Sequence, residues 1–90
     1  MIVLANKTYG GYSHTAECAE HFGMKSHYDR TEKEDRTDPE LIEFYETHER
    51  GDIGFCYVPE YATDWDLMEY DGKEWVVFVL HGKLHYSYPR

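Results

Sequence analysis

Six consecutive apolar residues, Trp75-Val76-Val77-Phe78-Val79-Leu80, follow Glu74 and are bounded by Asp71-Gly72 on one side and His81-Gly82 on the other. A run this short, rich in valine and aromatic residues and closed by turn signals, is a strand rather than a helix. Because it is apolar on both faces, it predicts the central strand of a sheet, covered by helices on at least one side. Asp71-Gly72 is the dipeptide of a type I′ hairpin turn, so the preceding segment pairs with it. In that segment Trp65, Leu67 and Glu69 share one face and Met68 and Tyr70 the other. His81-Gly82 turns the chain again into a last strand, where Leu84, Tyr86 and Tyr88 alternate until Pro89.

The first half of the chain reads differently. Ile2 to Ala5 is a short apolar strand leading into Tyr9-Gly10-Gly11-Tyr12-Ser13, where paired glycines permit backbone angles other residues resist. Thr15 then stands as N-cap of a helix with Ala16, Cys18, Ala19 and Phe22 on its apolar stripe and Gly23 at its C-terminus. Residues 24–37 are charged at nearly every step, which predicts a solvated loop. Asp38-Pro39-Glu40 supplies a cap, a first-turn proline and a first-turn acid. Leu41, Ile42 and Tyr45, with Phe44 and His48 alongside, give that helix a buried face reaching toward Gly51. Ile53, Phe55 and Tyr57 alternate as a half-buried strand that Pro59 ends. Trp75, Phe78, Phe55 and Tyr45 are the rings expected in the core.

Together these elements predict an α+β fold: an N-terminal strand, two helices, then an antiparallel meander packed on the helices. With 90 residues and 10.7 kDa, the chain has room for one hydrophobic core, so residues 1–90 are expected to form a single domain.

Nine basic against 18 acidic residues give a formal net charge of −9. That field repels phosphate backbones and anionic bilayers, so neither direct nucleic-acid binding nor membrane binding is expected. No apolar run approaches a membrane helix, and MIVLANK lacks the features of a signal peptide. Cys18 and Cys56 read as free thiols of a reducing cytoplasm. The acid is uneven: residues 24–50 carry 5 basic and 9 acidic groups, and residues 60–74 carry 1 and 6.

The segment Tyr9, Gly10, Gly11, Tyr12, Ser13, His14 and Thr15 is the most site-like stretch. Glycines expose backbone N–H groups and a helix start favours anions, so a phosphate with a base stacked on Tyr9 or Tyr12 is the ligand it suggests. It is neither a Walker loop nor a dinucleotide fingerprint. His14, Cys18 and His21 stand at helical spacing, with Cys56 as a fourth candidate ligand, but no compact pair falls within one element. No metal and no cofactor are therefore expected. The carboxylates Asp64 and Asp66, or Glu69 and Asp71, fit an exposed acidic face as well as they fit catalysis, and only His85-Tyr86-Ser87 resembles half of a two-histidine phosphoesterase signature. The chain does not read as an enzyme.

The order YGGYS with a following Thr cap, then RTDPELIEF, then a strand ending in Pro59, then WDLMEYDGKEW resembles a family of small proteins encoded by bacteriophages and prophages. The resemblance runs over residues 2–79 and departs at His14, in the insert 24–36 and in the tail 81–90. It carries no biochemical activity. It implies a phage origin and expression in the cytoplasm of an infected bacterium. In that setting two functions are expected. The first is non-enzymatic sequestration of a nucleotide-derived immune signal by Tyr9–Thr15, with Lys7 or Arg90 adding charge. The second is an acidic inhibitor that imitates nucleic-acid charge and occupies a basic surface of a defence nuclease or CRISPR effector. It would use Asp38, Glu40, Glu43, Glu46, Glu49, Asp64, Asp66, Glu69 and Asp71. A structural phage accessory role is the remaining class. The exposed last strand and the surplus of tyrosines further predict a homo-oligomer.

Overall fold

A computed structural model describes residues 1–90. Its middle layer is an antiparallel ribbon of β1 (Ile2–Asn6) and β2 (Ile53–Tyr57), in the register Val3↔Cys56 and Leu4↔Phe55. On one side Leu4, Ile53 and Phe55 pack with Tyr12, with Cys18 of α1 (Ala16–His21), and with Leu41, Phe44 and Tyr45 of α2 (Pro39–Thr47). On the other side Val3, Ala5, Cys56 and Val58 pack with Val76 and Phe78. These last two lie on β4 (Lys73–Leu80), the middle strand of an antiparallel sheet between β3 (Asp64–Tyr70) and β5 (Lys83–Ser87). The fold is α+β, with the ribbon between the helices and the meander.

The ribbon is buried on both faces because IVLA and IGFC contain no polar residue to turn outward. The half-buried alternation expected of β2 is thereby corrected, since Cys56 enters the second core. Trp75 is corrected too. It lies half-buried on the outer face of β4, its ring 6.3 Å from that of Tyr88.

The caps form as their residues dictate. Thr15 Oγ1 accepts from the Cys18 N–H at 3.2 Å, and Gly23 takes the left-handed φ of 64° past α1. Asp38 Oδ1 accepts from the Glu40 N–H at 2.9 Å, and His48 Nδ1 lies 3.0 Å from the Phe44 carbonyl oxygen at the end of α2. The charged stretch 24–37 departs from its composition. Lys33–Thr37 winds into a 3₁₀ helix, and Arg36 within it is only 5% exposed.

Arg36 explains how the layers are joined. Its guanidinium meets the buried Glu74 carboxylate at 2.8 and 3.2 Å, donates to the Thr31 and Leu4 carbonyls, and covers the Tyr12 ring at 3.5 Å. Glu74 Oε1 also accepts the Asn6 N–H at 2.9 Å. The Leu4 oxygen and Asn6 N–H belong to the side of β1 that faces away from β2, so the ion pair takes the place of a further strand there. The free side of β2 is closed by the C-terminal residue, with Phe55 and Arg90 exchanging N–H···O bonds of 3.0 and 3.1 Å. The outer edge of β3 is blunted by its own acids. Asp64 and Asp66 accept from the N–H groups of Trp65 and Leu67 at 2.9 and 2.8 Å, and Lys33 donates to the Trp65 carbonyl at 3.0 Å.

Candidate functional site

The glycine turn is folded onto the β3–β4 hairpin. Gly10 N–H donates to the Asp71 carbonyl at 3.0 Å, and the Asn6 side-chain amide donates to the Gly72 and Thr8 carbonyls at 2.8 and 2.6 Å. A Cβ placed on Gly72 would stand 2.0 Å from the Gly11 nitrogen. Gly72 thus serves a close approach of two backbones, whereas a Cβ on Gly10 or Gly11 would meet nothing within 4 Å. Tyr12 is buried beneath Arg36, and its hydroxyl has no hydrogen-bond partner. Stacking a base on it would require displacing the guanidinium and opening the Glu74 pair. Ser13 is half-buried, Thr15 is occupied as a cap, and α1 has only six residues. Of the ring candidates for a nucleotide, Tyr9 alone is exposed, at 65%. The turn expected to cradle a ligand is thus held against the hairpin, with Tyr9 as the ring it leaves to solvent.

His14 is the polar centre of the helical core, 2% exposed. Its Nε2 lies 2.9 Å from the Arg30 carbonyl oxygen, which can only accept, so Nε2 carries the proton. Nδ1 then accepts from the Tyr45 hydroxyl at 2.8 Å, and Tyr45 Oη accepts the Thr15 N–H at 3.3 Å. Cys18 Sγ stands 3.9 Å from Nδ1. Burial, joined by the Arg36 and Arg30 charges, holds the His14 pKa below the ordinary histidine value. Burial also raises both thiols, Cys56 to about 11, so neither is poised as a nucleophile. His14 and Cys18 meet, as their spacing suggests. Cys56 belongs to the other core and His21 is on the surface.

His14 gives the fold a pH dependence of definite sign. The unfolded chain titrates near 6.5 and the folded chain lower, so between these values the unfolded state holds more protons. Stability is therefore full above about pH 7 and falls as pH drops through that window. Urea midpoints from pH 7.5 to 5 should fall more steeply for the wild type than for His14→Gln. Equal slopes would show that His14 is not the titrating group.

The acidic candidates form two groups. Glu40, Glu43 and Glu46 are exposed on α2, on one side of the ribbon. On the other side Asp64 and Asp66 pair across to Val79 and Val77 on the outer face of the sheet. Glu69 lies on the alternate face and accepts the Gly72 N–H at 2.6 Å, and Asp71 is in the turn at φ 52°. Asp38 is engaged by Arg30 and by its cap.

The outer face of the meander is the surface that strand-by-strand reading missed. Register aligns Met68 with Trp75, Val77 with Tyr86, and Val79 with Leu84. Trp75, Val77 and Val79 are only half-buried, while Met68, Leu84, Tyr86 and Tyr88 are exposed. A contiguous aromatic and aliphatic face therefore looks outward, with Asp64 and Asp66 along one margin. Contiguous apolar surface of this kind marks interaction sites. The signal was present in the shared parity of residues 75, 77 and 79, but finding it required knowing that nothing covers that side. Compared with protein-family models, curated proteins and solved structures, the chain matches none.

Proposed function

We propose that this protein is a non-catalytic, phage-encoded binding module that docks the outer face of its three-stranded sheet on a host protein with an apolar contact surface and a basic rim. The basic surface of a defence nuclease or CRISPR effector would supply that rim. The observation that carries the reading is the half-buried Trp75 on an uncovered sheet face, among exposed Tyr86 and Tyr88 and beside Asp64 and Asp66. Aromatic anchors supply most of the binding energy in such contacts, and peripheral acids chiefly accelerate association. The acids of α2 lie across the ribbon and act only through the general field of a chain at −9.

The test begins with native mass spectrometry of the protein mixed with lysate from infected, defence-bearing cells. A bound basic protein is expected; a nucleotide-sized adduct without a protein would replace this reading with signal sequestration. With the partner in hand, Asp64→Asn with Asp66→Asn keeps the oxygen that accepts each edge N–H and removes only charge. Association should slow on the order of tenfold at low salt while dissociation changes little. Trp75→Thr should instead accelerate dissociation. Charge-neutral variants that associate at the wild-type rate and with its salt dependence would remove the acidic margin from the mechanism.

A further inference from the structure

The chain closes three of its sheet edges with its own groups and leaves one bare. Asp64, Asp66 and Lys33 occupy β3, the Arg36–Glu74 pair occupies β1, and Arg90 occupies β2. The remaining edge is β5. His81 and Gly82 both have positive φ, 52° and 74°, as a two-residue I′ turn requires, so Leu80↔Lys83 is the closing hydrogen-bonded pair. Bonded pairs then alternate along the hairpin, and the N–H and C=O groups of Leu84 and Tyr86 point away from β4. No other group of the chain bonds them.

We propose that β5 pairs antiparallel with β5 of a second copy, joining two meanders into one six-stranded sheet. The register that satisfies the bare groups sets Leu84 opposite Tyr86 of the partner, and Tyr86 opposite its Leu84, with the two-fold axis at His85. Four inter-chain backbone bonds follow. The electrostatics favour a second copy at this edge over any other. Residues 75–90 carry Lys83 and Arg90 and no acid, in a chain whose net charge is −9. Two copies meeting there keep their acidic surfaces apart, whereas contact through α2 or β3 would oppose like charges. Leu84, 63% exposed, and Tyr86, 55% exposed, have their strand-side flanks free for cross-strand contact, with their outward tips still on the sheet face. A cavity of about 360 Å³ lined by Tyr57, Tyr86 and Tyr88 opens beside the strand. Pairing also doubles the outer face, so each dimer presents two docking surfaces in one plane. The dimer is independent of what docks there.

Sedimentation equilibrium of the purified chain at 1–100 μM tests this. The expected mass is twice 10.7 kDa. Leu84→Lys places a charge against Tyr86 of the partner and, across the axis, diagonal to a like charge, and should weaken the dimer at least a hundredfold. Tyr86→Pro removes an outward N–H that the folded monomer does not use and should yield a folded monomer by circular dichroism. If Tyr86→Pro does not fold, Leu84→Lys alone decides. A monomeric wild type at 100 μM, a mass that keeps growing with concentration, or a dimer unchanged by Leu84→Lys would each overturn the proposal.

Discussion

Glu74→Ala should lower the unfolding free energy by about 3–5 kcal/mol, because it strands the Arg36 guanidinium in the interior and takes away the acceptor of the Asn6 N–H. Against a stability of about 5–15 kcal/mol for domains in general, that is enough to leave the variant marginal. Replacing both partners separates burial of an unpaired charge from loss of the bond itself. Arg36→Met with Glu74→Gln should cost less than Glu74→Ala, since no ion is left without a counterion. Urea unfolding at pH 7.5 measures all of these, and a Glu74→Ala cost below 1 kcal/mol would mean that the pair does not tie the layers together.

Gly72→Ala should be nearly as damaging, for a different reason. The left-handed φ of 88° costs any L-residue about 1–2 kcal/mol, and the added Cβ meets the backbone nitrogens of Gly11 and Gly10 at 2.0 and 2.6 Å. Overpacking adds about 1–3 kcal/mol and parts the hairpin from the N-terminal turn. Gly82→Ala is the matched control, with φ 74° and nothing within 4 Å of the new Cβ, so it should show the strain alone. Equal losses at the two glycines would mean that the turn and the hairpin are not clasped.

Local chemistry made much of this fold readable. Asp71-Gly72, Thr15 and Asp38-Pro39 specify their turn and caps through contacts within a few residues, and all three form. What sequence order hides is contact between distant segments. Arg36 stands in a charge run that looks solvated, yet its counterion lies 38 residues away. The available clue was on the other partner: Glu74 shares the parity of the buried Val76 and Phe78, and an acid on an inner face demands a cation. The contact made by the glycine turn is hidden for a related reason. Positive φ at Gly10 and Gly11 marks a turn, but the backbone that lies against it belongs to Gly72, about sixty residues on. The outward apolar face is concealed because residues 75, 77 and 79 are as apolar as any core strand.

Hydroxyl-radical footprinting of the protein, alone and bound to the partner recovered from infected cells, tests most directly which surface does the binding. Met68, Trp75, Tyr86 and Tyr88 react readily and lie on the outer face, while Tyr9 and Tyr28 are exposed elsewhere. Comparison with the free protein at the same concentration removes any protection that self-association would confer. Binding should protect Met68 and Trp75 several-fold and leave Tyr9 and Tyr28 oxidised as in the free protein. Protection of Tyr9 with Met68 and Trp75 unchanged would contradict the outer-face reading and return the glycine turn to the centre of function.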